Sequence, residues 1–198
     1  MADLHARLTR LYCEGLERPA PRLFPDPRVA QGVALKPAAV LLAITEREEP
    51  GLLLLHRPAT MRAHAGQVAL PGGRIDAGET PVEAALREAD EELGIDPTQV
   101  RVIGPTDLYR TGSGYAVTPV IATVPADIAI TPNPDEVAHW FEAPLAYVLD
   151  RANHQRRAME WQGAMRHYVE ILWQDHRIWG VTGAILANLA ERLDWNAA

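Results

Sequence analysis

Three glutamates near the middle of the chain stand at a spacing that suits metal binding. Glu88, Glu91 and Glu92 occupy positions i, i+3 and i+4 of a segment whose apolar residues recur at helical intervals. On an α-helix this spacing puts the three carboxylates on one face, where like charges repel one another. A hard divalent cation such as Mg²⁺ or Mn²⁺, which prefers oxygen ligands, would turn that repulsion into attraction. The alternative is a solvated acidic face on a surface helix.

The residues around this helix favour the metal site over the solvated face. Gly72 and Gly73 precede the helix by a short loop, and a pair of glycines lets the backbone bend sharply and approach a ligand closely. Arg87 can reach Glu91, four residues further on, and orient its carboxylate. Gly94 stands where a helix commonly ends in a left-handed residue. The helix therefore has a defined end, and the backbone of the turn beside it can approach a bound ligand closely.

Apolar runs and the residues that interrupt them predict a sheet with helices on its faces. Helices are predicted over residues 1–16, 80–93 and 181–193, the last one amphipathic, with a helical turn over 144–149. Strands are predicted over 39–44, 52–56, 102–109, 117–124 and 137–141, the first two adjacent, with one or two more inside 160–173. Residues 58–70 are predicted to be a long irregular loop, a feature that is often functional. This order predicts an α/β or α+β sandwich with a central mixed sheet between helices.

Length and composition are typical of one globular domain with short extensions. The chain has 198 residues, of which 47% are hydrophobic and 23% charged. We expect a helix and a proline-rich connector over residues 1–36 and the main domain over 37–198. Pro37, at the boundary, is expected to be the last proline of the extended connector. The net charge of −7 argues against a nucleic-acid partner.

Predictions of location and disulfide content follow from three further features of the sequence. The single cysteine, Cys13, cannot form an intrachain disulfide, which fits a reducing compartment. Charged residues interrupt the first helix, so it is not a signal peptide. The longest apolar run is too short to span a bilayer. These features predict a cytoplasmic protein with no membrane partner.

The segment around the glutamate helix resembles the signature of Nudix hydrolases. That signature is a glycine, five residues, a glutamate, seven residues and then REUxEExGU, where U is an apolar residue. The matching residues are Gly73, Glu79, Arg87, Glu88, Glu91, Glu92 and Gly94, with Ile95 at the last apolar position. The resemblance implies the Nudix fold, a mixed sheet between helices. It also implies metal-dependent cleavage of a pyrophosphate bond in a nucleoside diphosphate derivative.

The same resemblance assigns roles to individual residues. It implies that Glu88, Glu91 and Glu92 bind Mg²⁺ or Mn²⁺, that the backbone carbonyl of Gly72 joins them, and that Glu79 and Gly94 are structural. The candidate catalytic residues are Glu91, Arg87 and Glu136, since a glutamate of the signature, or one further along the chain, activates the water in the family. Glu136 is expected to begin the strand at 137–141 and to serve as a metal ligand or as the base. The alternative is an exposed glutamate at a strand start.

A second resemblance covers residues 53–73, LLLHRPATMRAHAGQVALPGG. It is similar to the signature that marks coenzyme A pyrophosphatases among Nudix enzymes, LLTxR followed by Ser or Ala and then xxxRxxxGxxxFPGG. The matching residues are Arg57, Arg62, Gly66, Pro71, Gly72 and Gly73, and the departures are Leu55, Pro58 and Leu70. This resemblance implies hydrolysis of coenzyme A, or of a thioester or oxidised form, to 3′,5′-ADP and a 4′-phosphopantetheine species. Arg57 and Arg62 would meet phosphates, and Gly66 and Gly73 would belong to the substrate site.

Two other functions are compatible with the glutamate signature. One is a Nudix enzyme with a different substrate, such as a nucleoside triphosphate or a dinucleotide, because substrate choice lies in loops outside the signature. The other is a non-catalytic Nudix module that binds a nucleotide, although such modules usually lose the glutamates that are retained in this chain. The expected partner is a small nucleotide substrate. The oligomeric state is left open, with a homodimer as one alternative.

Overall fold

The computed structural model describes residues 3–18, 26, 29, 34–61, 64–161 and 164–197. Over these residues the chain forms four α-helices and eleven β-strands. The helices are α1 (Leu4–Glu17), α2 (Pro81–Leu93), α3 (Leu145–Val148) and α4 (Gly180–Leu193). The strands are β1 (Lys36–Thr45), β2 (Gly51–His56), β3 (Val68–Ala69), β4 (Gly72–Arg74), β5 (Arg101–Pro105), β6 (Tyr109–Arg110), β7 (Tyr115–Val124), β8 (His139–Pro144), β9 (Gln155–Trp161), β10 (Ala164–Trp173) and β11 (His176–Trp179).

The central sheet is mixed, and the parallel pair β1 and β7 forms its middle. These strands are aligned from Lys36 beside Tyr115 to Thr45 beside Val124. The sheet runs in the order β3-β2-β1-β7-β5, with β4 also paired to β1, β6 to β7 and β8 to β2. Most of β1 is buried on both faces, which is why its sequence is an apolar run and not an alternating pattern. The mixed central sheet and the adjacent strands at 39–44 and 52–56 are confirmed.

Successive residues of β1 contribute to two hydrophobic clusters, one on each face of the sheet. Leu41 and Ala43 pack in one cluster with residues of α2. Leu42 and Ile44 pack in the other cluster, with residues of α1 and α4. Because side chains alternate across a strand, β1 anchors α2 on one face and the two terminal helices on the other. The predicted arrangement of a sheet between helices is therefore confirmed.

Strands β9, β10 and β11 form a second, antiparallel sheet that the sequence pattern does not predict as a unit. The strands predicted within residues 160–173 account for β10 and the end of β9, but β11 is missed. Helix α4 lies directly on β10, since a Cβ built on Gly183 would be 2.7 Å from the carbonyl oxygen of Val169. Almost every residue of α4 is buried, so the prediction of an amphipathic helix is wrong.

Several predicted boundaries differ from the structure. Residues 102–109 are two strands, β5 and β6, separated by an irregular segment, and β8 begins at His139 instead of residue 137. The irregular stretch 58–70 contains the short strand β3. Pro37 lies within β1 and not in the connector, while most of the other connector residues lie outside the described residues. The division of the chain at residue 36 stays a prediction.

Arg192 of α4 holds α1 against the body of the protein. Its side chain is buried, and its Nε donates a hydrogen bond to Oδ2 of Asp107 at 2.8 Å. Its Nη1 donates to the carbonyl oxygens of Gly15 and Arg18 at 2.6 and 3.2 Å. Carbonyl groups at the end of a helix have no partner inside the helix, so Arg192 satisfies the last turn of α1. Among the described helices, none combines the length and the apolar character that a membrane span requires.

The substitution Asp107→Asn is expected to lower the free energy of unfolding by about 3 kcal/mol, because Arg192 remains buried without its countercharge. Asp194→Asn is the matched control, since the Asp194 side chain is 43% exposed beside Arg18 and Arg151. Its effect is expected to stay below about 0.5 kcal/mol. Urea denaturation followed by circular dichroism measures both values. Equal losses in the two variants would contradict the anchoring role of Arg192.

Candidate active site

Helix α2, which carries the three glutamates, has well-defined ends. Thr80 is the N-cap: its hydroxyl accepts from the N–H of Glu83 at 3.2 Å, and the Glu83 carboxylate accepts from the N–H of Thr80 at 2.7 Å. Gly94 ends the helix in the left-handed conformation, with φ at 66°, and donates to the carbonyl oxygen of Asp90 at 2.8 Å. The helix predicted over 80–93 is confirmed. These caps fix the two ends of the helix that carries the glutamates.

The turn at Gly72 and Gly73 lies directly against the carboxylates of α2. A Cβ built on Gly73 would collide with the carboxylate of Glu88, and one built on Gly72 would collide with the backbone of β1. The N–H of Gly72 donates to Oε2 of Glu92 at 2.9 Å. Only a residue without a side chain permits this approach, so the structure brings Gly72, Gly73, Glu88 and Glu92 together.

Glu92 is a buried carboxylate, with 4% of the residue exposed. Burial raises the pKa of Glu92 to about 7, and the negative charges of Glu88 and Glu136 act in the same direction. The hydrogen bond from Gly72 and the positive charge of Arg57 oppose this rise but do not cancel it. Burial is also the main cause that raises the pKa of Glu88, with smaller contributions from Glu91 and Glu136. The site therefore holds more negative charge than the protein neutralises.

Arg87 binds the outward-facing carboxylates of the signature. Its Nε donates to Oε1 of Glu79 at 2.7 Å, and its Nη1 donates to Glu88 and Glu91 at 3.0 Å each. Its Nη2 donates to Glu79 and to the carbonyl oxygen of Arg74, both at 3.0 Å. Glu79 also accepts from the N–H of Asp76, and these bonds lower the pKa of Glu79 to about 2. The contact of Arg87 with Glu91 is the predicted one, whereas its two bonds to Glu79 were not foreseen from the sequence.

Glu136 reaches the site from a turn and not from a strand start. Asn133 donates its N–H to the carbonyl oxygen of Glu92 at 2.9 Å, and the N–H of Glu136 donates to the carbonyl oxygen of Asn133 at 3.1 Å. The turn is thus hydrogen-bonded to the end of α2, where carbonyl groups lack helical partners. The predicted placement of Glu136 at the beginning of a strand is wrong, because β8 begins three residues later. Its negative charge nevertheless acts on both Glu88 and Glu92.

Arg57 follows β2 and brings positive charge to the buried side of the site. Its guanidinium acts on the carboxylate of Glu92. Its Nε is buried and has no hydrogen-bond partner within the described part of the chain. The backbone N–H of Arg57 donates to the carbonyl oxygen of Gln67 at 3.0 Å, and its carbonyl oxygen accepts from the N–H of Gly66 at 3.1 Å. Arg62 lies outside the described residues, so its predicted role stays a prediction.

Sequence reasoning missed three histidines close to Arg57. His56, His139 and His176 gather their rings at one end of β2, β8 and β11. The three residues are far apart in the sequence and follow no spacing, so no local pattern could have revealed them. They become visible only through strand pairing.

Comparisons with known proteins identify the fold and the family. A model of the NUDIX domain matches residues 35–162. The chain is 43% identical to a protein of Escherichia fergusonii named as the uncharacterized Nudix hydrolase NudL, over 77% of this chain and 80% of the relative. A protein of the same name from Photorhabdus laumondii is 41% identical, over 79% and 84% of the two chains. The chain belongs to the Nudix family.

Two solved structures support the same fold. The Nudix hydrolase RenU from M. smegmatis is 28% identical, with a TM-score of 0.52 over 66% of this chain and 83% of its own. The MutT protein from Methanosarcina mazei Go1 is 19% identical, with the same TM-score over 85% and 99%. At 19% identity, the similarity to the MutT protein shows the fold alone. Nudix hydrolases cleave pyrophosphate bonds of nucleotide derivatives, and this Nudix chain is accordingly a pyrophosphohydrolase.

Nudix hydrolases generally need divalent metal ions, and the donor chemistry of this site fits one. Glu88 and Glu92 place carboxylate oxygens with incompletely neutralised charge against the Gly72–Gly73 turn, and hard cations take such oxygen ligands. Within the described ranges, no three His, Cys, Asp or Glu side chains are grouped around one point as metal ligands. Glu88 and Glu91 instead bind Arg87, and Glu92 binds Gly72. The ligand roles of these residues stay predictions.

The substitution Glu92→Gln is expected to stabilise the metal-free Nudix protein while abolishing its metal-dependent hydrolysis. The glutamine amide keeps an oxygen for the N–H of Gly72 but carries no charge. Removing the buried charge is expected to raise the free energy of unfolding by about 2 kcal/mol above pH 7. The folded-state pKa of Glu92 is about 7, above its ordinary value of 4.5, so its ionisation costs stability progressively as pH rises between these values. The difference between the two proteins is therefore expected to vanish at about pH 4. Denaturation of metal-free samples across this pH range measures it.

Asp90→Asn is the matched control, because Asp90 is an exposed acid of the same helix. Its unfolding free energy is expected to change by less than about 0.5 kcal/mol at every pH. A Glu92→Gln protein that is less stable than wild type at pH 8 would contradict the assignment of Glu92 as a costly buried charge.

The substitution Arg87→Lys is expected to reduce kcat by roughly tenfold to a hundredfold. A lysine keeps the charge, but a single ammonium cannot bridge Glu79, Glu88 and Glu91 as the guanidinium does. Arg74→Lys is the control, because only the backbone carbonyl of Arg74 contacts Arg87. Steady-state kinetics on a nucleotide substrate measure both variants. Equal reductions would show that Arg87 does not organise the site.

Proposed function

We propose that the protein hydrolyses the pyrophosphate bond of coenzyme A or of its derivatives. The observation that carries the proposal is Arg57, a residue of the second sequence resemblance. Its guanidinium acts on Glu92 inside the site, and its buried Nε has no hydrogen-bond partner among the described residues. A guanidinium in this state is suited to bind a phosphate oxyanion, and coenzyme A offers three phosphates.

The metal-binding residues of the proposal are Glu88, Glu91 and Glu92, with the backbone carbonyl of Gly72. They would hold Mg²⁺ or Mn²⁺, which neutralises the charge of the pyrophosphate and lowers the pKa of bound water. Arg87 orients Glu88 and Glu91, and Glu79 fixes Arg87. Gly66 and Gly73 would belong to the substrate site, where the missing side chain at Gly73 lets the carboxylate of Glu88 lie against the turn. Gly94 keeps its structural role at the end of α2.

The reaction adds one water molecule across the pyrophosphate. The water oxygen forms a bond to one phosphorus, and the bridging oxygen leaves with the other phosphate group. The water gives up a proton, for which the Glu136 carboxylate is the candidate base, while ligation of the metal is its alternative role. The products are 3′,5′-ADP and 4′-phosphopantetheine, or the matching acyl or oxidised form.

The proposal is tested by mass-spectrometric product analysis. Purified protein is incubated with coenzyme A, ADP-ribose or a nucleoside triphosphate panel, with Mg²⁺ or Mn²⁺, beside a Glu91→Gln control. Release of 3′,5′-ADP and 4′-phosphopantetheine by wild type but not by the control supports the proposal. Cleavage of another compound with coenzyme A left intact refutes the substrate and retains the Nudix chemistry. No cleavage at all would favour a nucleotide-binding module.

The substitution Arg57→Gln is expected to raise KM for coenzyme A by roughly tenfold to a hundredfold, the equivalent of one lost charge-assisted hydrogen bond. Arg110→Gln is the control, since Arg110 is an exposed arginine of β6. Steady-state kinetics with coenzyme A and with its dephosphorylated form, which lacks the 3′-phosphate, show which phosphate Arg57 contacts. Equal effects on both substrates indicate the pyrophosphate, and an effect on coenzyme A alone indicates the 3′-phosphate. An unchanged KM for both refutes the role of Arg57.

Three further features of the proposal await their own tests. We place the enzyme in the cytoplasm, where coenzyme A is used, and assign the hydrolase domain to residues 37–198. The oligomeric state is left open, with a homodimer as one alternative, and sedimentation equilibrium would establish the mass in solution.

A further inference from the structure

Trp140 of β8 differs from the other tryptophans in its surroundings. Each of the other three described tryptophan side chains has an aromatic or guanidinium partner: Trp173 has Tyr147, Trp179 has Tyr168, and Trp195 has Arg7. Trp140 makes no ring contact and no side-chain hydrogen bond within the described part of the chain, and it is half-buried. Part of its indole is therefore accessible and has no protein group stacked on it.

The Trp140 indole lies on the same face of the central sheet as helix α2. Trp140 is opposite Leu55 in the antiparallel pair of β8 and β2, so both side chains point to one face. Leu55 is buried in the hydrophobic cluster that contains residues of α2, and Trp140 packs against the same cluster. The second sheet packs with the cluster on the other face. Trp140 thus shares its face of the sheet with the helix that carries the glutamates.

Arg57 is a diagonal neighbour of Trp140 on this face. It follows Leu55 by two residues, and side chains two apart on a strand point to the same side. The pairing of β2 with β8 reaches the residue before Arg57, since the N–H of Ala138 donates to the carbonyl oxygen of His56 at 2.9 Å. Cβ atoms of diagonal neighbours are typically about 7 to 8 Å apart, a gap that long and aromatic side chains can bridge.

Trp140, Arg57 and the buried carboxylate follow one another across this end of the sheet. Trp140 is on β8, Arg57 follows β2, and the Arg57 guanidinium acts on Glu92 of α2. Strand β3, which leads into the glycine turn, is paired with the other side of β2. At the usual spacing of strands, β8 is about 10 Å from β3. An indole, a guanidinium and the acidic site are therefore arranged in this order along one direction.

This order matches the chemistry of a nucleotide, in which the base, the ribose and the phosphates follow one another. Aromatic side chains stack on bases, and guanidinium groups bind phosphate oxygens. We propose that Trp140 is a substrate-binding residue on which the base of the nucleotide substrate stacks, while Arg57 contacts a phosphate. The inference rests on the proposed function, in which the base is adenine. It does not require that the rest of the substrate is phosphopantetheine.

Two ligands that differ only in the base test the proposal. AMP and ribose 5-phosphate share the sugar and the phosphate, and neither has a pyrophosphate bond that could be hydrolysed. NMR spectra of the indole N–H groups are recorded during titration with each ligand in the presence of Mg²⁺. The resonance of Trp140 is the one that is missing from the Trp140→Phe variant. AMP is expected to shift this resonance through the ring current of the stacked base, and ribose 5-phosphate is expected to leave it unchanged.

The dissociation constants from the same titrations give the second readout. Trp140→Ala is expected to weaken the binding of AMP by roughly tenfold to a hundredfold and to leave that of ribose 5-phosphate unchanged. Trp140→Phe keeps an aromatic ring and is expected to bind AMP within about threefold of wild type. Trp179→Ala is the matched control, because Trp179 is a half-buried tryptophan of the second sheet, and it is expected to bind AMP as wild type does.

Steady-state kinetics on any hydrolysed nucleotide give the third readout, since KM is expected to rise in Trp140→Ala while kcat stays within about twofold. The proposal is wrong if AMP shifts no indole resonance or shifts that of another tryptophan. Equal losses of affinity for AMP and for ribose 5-phosphate in Trp140→Ala would also overturn it, because they would indicate a structural effect. The titrations involve neither coenzyme A nor turnover, so failure of the coenzyme A assignment is recognised separately by product analysis.

Discussion

Concentration of negative charge beside the Gly72–Gly73 turn is the constraint on which the rest of the structure depends. Glu92 is buried with one backbone hydrogen bond, and Glu88 lies against the same turn. The charge of Glu88 raises the cost of ionising Glu92, and Glu136 raises that cost for both carboxylates. Arg87 neutralises only the outer part of this group. Such an arrangement would relax by moving apart unless the surrounding backbone held it, so rigidity of α2 and of the turn is a requirement of the site.

The packing of α2 supplies that rigidity. Three alanines, Ala84, Ala85 and Ala89, form much of its buried face and are fully inaccessible to solvent. Small side chains let a helix axis lie close to a sheet. Because α2 lies close, its glutamates can contact the glycine turn at β4. A larger residue in this row would lift the helix and separate the carboxylates from the glycine turn. The capping box at Thr80 and the left-handed Gly94 fix the residues at which the helix begins and ends. Apolar packing and charge placement are thus two consequences of one helix position.

Features encoded within one segment could be predicted from the sequence, and features made by distant segments could not. The glutamate helix, its glycine end and the turn before it depend on residues within about one helix length of each other, so local patterns were sufficient. The parallel pairing of β1 with β7 joins segments more than seventy residues apart, and the sequence indicated only that a mixed sheet exists. Helix α4 was predicted to be amphipathic, but its polar residues Asn188 and Arg192 do not form an exposed face. Both are buried, and Asp107, the ion-pair partner of Arg192, lies elsewhere in the chain.

Glu136 and Arg57 show why the surroundings of the carboxylates were harder to predict than the glutamate helix itself. Glu136 is delivered by a turn that is hydrogen-bonded to the end of α2, so its position depends on the helix and not on the strand that follows it. Arg57 has its side chain near Glu92 and its backbone hydrogen-bonded to Gly66 and Gln67, next to a histidine that contacts the second sheet. One residue thus connects the charged site to a sheet whose existence the sequence did not reveal. Under the proposed function, a change in the second sheet would therefore alter substrate binding without touching a glutamate of the signature, which would be a physical reason why substrate choice in this fold lies outside the glutamate helix.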